Sequence, residues 1–185
     1  WGTWASASGV SDTPVIYPFA AGNANGPKSI TSGWGCVPNF GTMQNGTFLG
    51  FEPWSGTGDD LNNIACIAGK TYCVSALVCS RNMSVQVNMD FRDGNNNFIS
   101  SHASELFNNP SADATDINQY TRIFLIITAP ANANYIRPYI LGWNKTGGVS
   151  SNGPGFNFTQ VQLAIVPANS TEPPEWVPGT QTTMD

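Results

Sequence analysis

Charge is what this sequence has least of. Charged residues make up 10% of its 185 positions, against roughly a quarter in an ordinary globular chain. Seven Lys and Arg stand against twelve Asp and Glu, for a net charge of −5. So few cations argue against a nucleic-acid partner, whose affinity comes from Lys and Arg neutralising phosphates, and against an anionic membrane surface. No apolar run approaches the roughly 18 residues of a membrane span, so membrane insertion is not expected. One His and four Cys (Cys36, Cys66, Cys73, Cys79) with no C-x-x-C give no zinc pattern. Helix formers are scarce too: Asn, Ser, Thr and Gly replace the usual Lys and Glu, which favours strands and tight turns. No signal peptide is visible, and the chain opens on Trp1 rather than Met, as a processed product or an excised domain would.

What is present is alternation. Tyr120–Trp143 reads as two strands joined by an Ala/Pro/Asn connection. In the first, Ile123, Leu125 and Ile127 share a face. In the second, Ile136, Pro138 and Ile140 share one face, and Tyr135, Arg137, Tyr139, Leu141 and Trp143 the other. A period of two marks a strand with one face in a core. Here the second face alternates rings with a guanidinium. Ser84–Asp93 alternates strictly, with Val85, Val87, Met89 and Phe91 inward and Gln86, Asn88, Asp90 and Arg92 outward. Asp93–Asn97 is a hairpin turn leading to Phe98-Ile99. Thr71–Ser80 is a strand with Tyr72, Val74, Ala76 and Val78 on one face. Phe156–Val166 is the last, with Val161, Leu163 and Ile165 toward the core and Gln160 and Gln162 opposite. Shorter strands are expected at 14–19, 29–36, 46–52 and 63–67. Residues 100–119 read as a long polar loop with one helical turn at 103–107.

About eight strands and no helix of any length predict an all-β fold, an antiparallel β-sandwich of jelly-roll type. The expected organisation is an irregular N-terminal segment (1–28) packed on the sandwich, a jelly-roll domain (29–167) and a Pro-rich tail or linker (168–185). Cys73 and Cys79 stand on one face of one strand, about 20 Å apart by strand rise, too far to bridge. Buried free thiols are expected, with a Cys66–Cys73 bridge, or one from Cys36, as the alternative. The five N-x-S/T sequons (Asn45, Asn82, Asn144, Asn157, Asn169) are about what so Asn- and Thr-rich a chain gives by chance.

Four stretches resemble the jelly-roll carbohydrate-binding modules found beside glycoside hydrolases and in bacteriophage tail and baseplate proteins. Gly69-Lys70-Thr71-Tyr72-Cys73-Val74-Ser75 is similar to the family's "aGktYtvS" strand, and Val87–Ile99 to its "v.m.f.d.ngn.i". Tyr120-Thr121-Arg122 followed by Thr128-Ala129-Pro130-Ala131 and Tyr135-Ile136-Arg137-Pro138 resembles "W.R…TaPa.a.yvrp". Val161-Gln162-Leu163 through Glu172-Pro173-Pro174-Glu175-Trp176-Val177-Pro178 resembles "vqlE.gs.at.w.P". Tyr120 replaces a frequent Trp. Thr159 stands where related modules often carry an Asp that helps hold a structural calcium; a hydroxyl is a far weaker ligand for that cation. No cofactor is therefore expected, with Asp59-Asp60 the remaining candidates for calcium.

The resemblance implies one sheet with an exposed concave face carrying Gln86, Asn88, Asp90, Arg92, Tyr135, Arg137, Tyr139, Trp143, Gln160 and Gln162. Rings cover the C–H patches of a sugar, and amides and charges satisfy its hydroxyls. Trp54, in a Gly-rich loop, is a candidate rim platform. The bland alternative is a solvated sheet surface or a subunit interface. Trp34 reads as core, and Trp176 as packing the tail. The expected partner is a polysaccharide or oligosaccharide, and the expected setting a virion tail or the extracellular space, within a larger, oligomeric polypeptide. A secreted glycoside hydrolase and a purely structural virion sandwich are the alternatives. No catalysis is expected: His102 stands with Ser101 and Glu105 in a polar loop, without the strained nucleophile turn of a triad.

Overall fold

The computed structural model describes residues 2–5, 15–20, 32–37, 46, 48–52, 63–108, 116–144 and 155–177. Trp54, Asp59 and Asp60 lie outside them, as do the side chains of Trp34 and Cys36. Among the described residues eleven strands form two antiparallel sheets. They are β1 (Gly2–Ala5), β2 (Val15–Ala20), β3 (Ser32–Val37), β4 (Phe48–Glu52), β5 (Ile64–Ala65), β6 (Thr71–Arg81), β7 (Ser84–Arg92), β8 (Phe98–Ala103), β9 (Thr121–Thr128), β10 (Tyr135–Trp143) and β11 (Gly155–Val166). The first sheet runs β1-β4-β10-β7-β8, with β5 beside the start of β10; the second runs β2-β3-β11-β6-β9. The protein is thus an antiparallel jelly-roll β-sandwich.

Alternation builds the core between the sheets. Val85, Val87, Met89 and Phe91 of β7 are all at 0% exposure, facing Tyr72, Val74, Ala76 and Val78 of β6, at 1% or less. Phe51 of β4 meets Phe158 of β11 across the sandwich, ring centroids 4.4 Å apart. Each such side chain withdraws roughly 1.5–3 kcal/mol of apolar surface from water. The phenol of Tyr72 is the one polar tip in this layer, and it accepts the Ile67 N–H at 2.7 Å.

β9 and β10 are both strands, as expected, but they lie in different sheets. The Ala129–Asn134 link carries the chain from one to the other. Its backbone groups are satisfied at both ends: Ala129 N–H donates to Lys70 O at 2.8 Å and Asn134 N–H to Arg92 O at 2.9 Å. Ala129 and Ala133 are buried, so small side chains let the crossover lie against the core.

Several expectations are corrected. Ser100–Ala103, read as loop, completes β8. The chain then stays on β7 rather than coiling at 103–107: Ser104 N–H donates to Val87 O, and Phe107 and Val85 exchange backbone hydrogen bonds at 2.7 and 2.8 Å. An edge strand with one side in water accepts Ser, His and Ala, a composition that looks like a loop. The helical turn falls instead at Ile117–Gln119, capped by Asp116. Gly2–Ala5, within the segment read as irregular, pairs with β4, while Val15–Ala20 matches the strand expected at 14–19 and pairs with β3. Ile165, expected in the core, is 45% exposed. The cysteines follow the first expectation: Cys66, Cys73 and Cys79 are thiols and not disulfides, Cys73 and Cys79 buried. Burial pushes the Cys66 and Cys73 thiols up to about 11, Arg122 opposing the shift at Cys73.

Candidate functional site

β10 and β7 are neighbours along their whole length, so the face opposite the core is fixed by register. Arg137 pairs with Asp90, Tyr139 with Asn88, Leu141 with Gln86, Tyr135 with Arg92 and Trp143 with Ser84. Directly opposed residues share a face. The sheet therefore assembles eight of the expected residues, Tyr135, Arg137, Tyr139, Trp143, Gln86, Asn88, Asp90 and Arg92, on two adjacent strands. β8 extends the rows, setting Ser101 beside Asp90 and Ala103 beside Asn88.

The centre of the face is a short hydrogen-bonded chain. Tyr139 O–H donates to Asp90 Oδ1 at 3.1 Å, and Ser101 Oγ lies 3.3 Å from the same phenolic oxygen. Burial pushes the Tyr139 hydroxyl up to about 12, with the Asp90 carboxylate acting in the same direction and Ser101 and Arg137 against it. The phenol thus stays protonated and its proton is directed at Asp90. Arg137 stands across from Asp90 in the next strand. Rings bound the face at both ends. Trp143 packs on Phe48 of β4, centroids 4.7 Å apart at 55°. At the other end Tyr135 lies in the row of Arg92 and of Phe98, which is 58% exposed.

Burial separates the expected residues by what they can do. Asn88, 2% exposed, and Gln86, 8% exposed, bond each other, Gln86 Nε2 donating to Asn88 Oδ1 at 2.8 Å. They form a floor under the face rather than groups on its surface. Arg92 Nη1 donates to Asn96 O at 2.9 Å, so this guanidinium ties down its own hairpin. Asp93 is engaged in the same turn, its carboxyl held below the usual range by hydrogen bonds from Asn97 and Asn95. The groups presented by the face are Asp90, Arg137, Tyr139, Tyr135 and Trp143.

Gln160 and Gln162 are corrected. They belong to β11, in the other sheet, and cannot share a face with Tyr139. Gln160 accepts from Arg122 Nη2 at 2.5 Å there. Trp54 lies outside the described residues. Two groups of the site escaped the sequence. Ser101 was hidden because a polar edge strand looks like a loop, and Phe48 because a single apolar residue on a short strand gives no sign of its neighbour. Among the described residues no three His, Cys, Asp or Glu side chains group as metal ligands. Thr159 is a buried hydroxyl at 6% exposure.

No family model matches the sequence, and no curated protein matches it. Solved structures similar in fold include two with TM-scores of 0.50 or more. One is the enzymatically active domain of tailspike protein 4 of bacteriophage CBA120, with TM-score 0.55, 13% identity and 89% of this chain covered. The chain spans 19% of that tailspike. The other is a carbohydrate-binding module structure of the β-sandwich superfamily, with TM-score 0.50, 10% identity, and 88% of this chain and 57% of that one covered. The chain thus has the jelly-roll sandwich fold of carbohydrate-binding modules, a fold also found in a phage tailspike.

Proposed function

We propose that the protein is a non-catalytic carbohydrate-binding module whose site is the outer face of β7 and β10. It serves in a phage tail or receptor-binding protein that recognises a host surface or cell-wall polysaccharide. The observation that carries this reading is the Tyr139 hydroxyl held between Asp90 and Ser101 beside Arg137, with rings at both ends of β10. Fixed donors and acceptors suit sugar hydroxyls, and ring faces suit the C–H patches between them. Tyr135 and Trp143 stand eight residues apart, about 27 Å by strand rise, which suits an oligosaccharide lying along β10 better than a single sugar. The same face in a secreted glycoside hydrolase would serve the same ligand class. Affinity per site is expected between millimolar and micromolar, about −4 to −8 kcal/mol, with avidity from tethered copies.

The test is binding of the labelled chain to host cells and a glycan panel. Tyr139→Ala and Arg137→Ala should each lose at least about tenfold in affinity, roughly 1.4 kcal/mol, with an unchanged circular dichroism spectrum. Undiminished binding by both variants would sink the reading. A second reading, a virion sandwich that only packs subunits, is favoured by the exposed Phe98, Ile67 and Ile165. It wins if the chain self-associates and binds neither cells nor glycans.

A further inference from the structure

The outer face of the second sheet holds a cluster that the site above does not use. Arg122 of β9 donates from Nη1 to Ser75 Oγ at 3.2 Å and from Nη2 to Gln160 Oε1 at 2.5 Å. Gln160 is the extra residue of a β-bulge in β11, where the register with β6 shifts between Thr159 and Gln162. Its φ is 50°, the left-handed region, and the bulge aims its amide at the guanidinium. In the adjoining row Phe124, Ser75 and Gln162 stand side by side on three strands. The side chains are a ring, a hydroxyl, two amides and a guanidinium, the same chemical mixture as on the first sheet.

One difference separates the faces. On the first, Arg137 stands opposite Asp90. On the second, both acceptors held by Arg122 are neutral, and no carboxylate pairs with it among the described residues. The cluster is also not closed on itself. Two of the five guanidinium N–H donors are engaged, and Gln162 Oε1 is buried with no hydrogen-bond partner among the described residues. A half-buried guanidinium fixed by neutral groups is arranged to receive a carboxylate through a two-point contact.

We propose that this cluster is a second glycan subsite, on the sheet opposite the first, that takes the carboxylate of an acidic sugar. Arg122 receives the carboxylate and Phe124 offers the ring face. The first face carries a carboxylate at its centre and favours neutral sugars; the second carries none and favours acidic ones. The two sites share only the premise that the ligands are glycans.

The experiment is calorimetric titration of the whole chain with oligogalacturonate, its carboxyl-reduced neutral form, a set of other uronate oligomers and a neutral β-glycan panel. Oligogalacturonate or another uronate oligomer should bind. Carboxyl reduction should weaken it at least tenfold, as should Arg122→Gln, while Tyr139→Ala leaves it unchanged. Should Arg122→Gln fail to fold, the comparison with the reduced oligomer on the unmodified chain still decides. Equal binding of acidic and reduced forms, or no binding of any uronate oligomer, overturns the proposal and leaves Arg122 as a staple for the bulge. Poly-glutamate competing as well as the sugar overturns the glycan assignment in favour of an acidic protein partner. Uronate binding without any neutral-glycan binding would sink the first face and leave this site standing; the reverse would sink this one.

Discussion

β7 and β11 use the same sequence grammar, apolar residues alternating with amides, but only β7 keeps one parity from end to end. In β7 every odd-numbered residue from Val85 to Phe91 faces the core at 0% exposure. β11 begins with even-numbered Phe156 and Phe158 inward, at 1% exposure, and ends with odd-numbered Val161 and Leu163 against the same core. The switch occurs at Gln160, the extra residue of the bulge. An unbroken ladder yields a long, regular outer face. A bulged one twists, and turns one polar side chain onto its neighbour. The first outcome carries the proposed glycan face, the second the Arg122 cluster.

Deleting Gln160 is the most direct way to break this comparison. Without the extra residue β11 has a single parity, and either Phe156 and Phe158 or Val161 and Leu163 must leave the core. Exposing two such side chains costs about 3–6 kcal/mol, taking roughly 1.5–3 for each. That is a large part of a domain's net stability, so urea denaturation should show a collapsed midpoint or no folded baseline. A loss below about 1 kcal/mol would mean that parity is set elsewhere in β11.

Gly142→Ala tests the core side of the regular sheet. A Cβ there would overlap Met83 Cε and stand 2.8 and 2.9 Å from two ring carbons of Phe156. The methionine methyl can swing away. The Phe156 ring, 1% exposed and 5.8 Å from Phe158, has less room. Alanine should gain up to about 1 kcal/mol over glycine from backbone entropy but lose about 1–3 kcal/mol to overpacking. The expected result is a net loss, smaller than for the Gln160 deletion and read from the same denaturation curves. A stabilised variant would show that the sheets yield easily where β10 and β11 meet.

The same contrast explains what could be read from the sequence. The faces of β7 and β10 were legible because strict alternation leaves one solution, and eight of the site residues follow from it. The sheet to which a strand belongs was not. Gln160 and Gln162 were placed on an outward face correctly but in the wrong sheet, since period two says nothing about hydrogen-bond partners. Edge strands were the weakest signal: Ser100–Ala103 is polar because one side meets water, and Gly2–Ala5 has no alternation to read over four residues. The depth of Asn88, at 2% exposure, was also hidden. An outward amide in a central strand is shaded by the larger side chains beside it, here Tyr139 in the next strand, and that is a property of the pairing and not of the residue.

The smallest expected effect distinguishes the two faces by pH. Tyr139 ionises near 12 in the folded chain, against roughly 10 for an unperturbed tyrosine. The folded state therefore holds the phenolic proton more tightly than the unfolded one. This contribution is fully present below about pH 10 and is lost as pH rises toward 12. Tyr139→Phe should cost about 0.5–1.5 kcal/mol at neutral pH, the net value of a hydrogen bond, with a further penalty if Asp90 loses its donor. Between pH 10 and 12 the difference should close, because the ionised phenol can no longer donate to Asp90 and stands beside a like charge. Arg122, on the other sheet, is pushed down by burial, but from an ordinary value that lies above this range. Neutral-glycan binding at the first face should therefore fall above pH 10 before uronate binding at the second. Urea midpoints of the two chains at pH 7, 10 and 11, with parallel titrations of both ligands, provide the measurement. A difference in midpoint that stays constant across these pH values would mean that the Tyr139 hydroxyl is solvated. The Asp90–Tyr139–Ser101 chain would then not be the fixed centre of the first face.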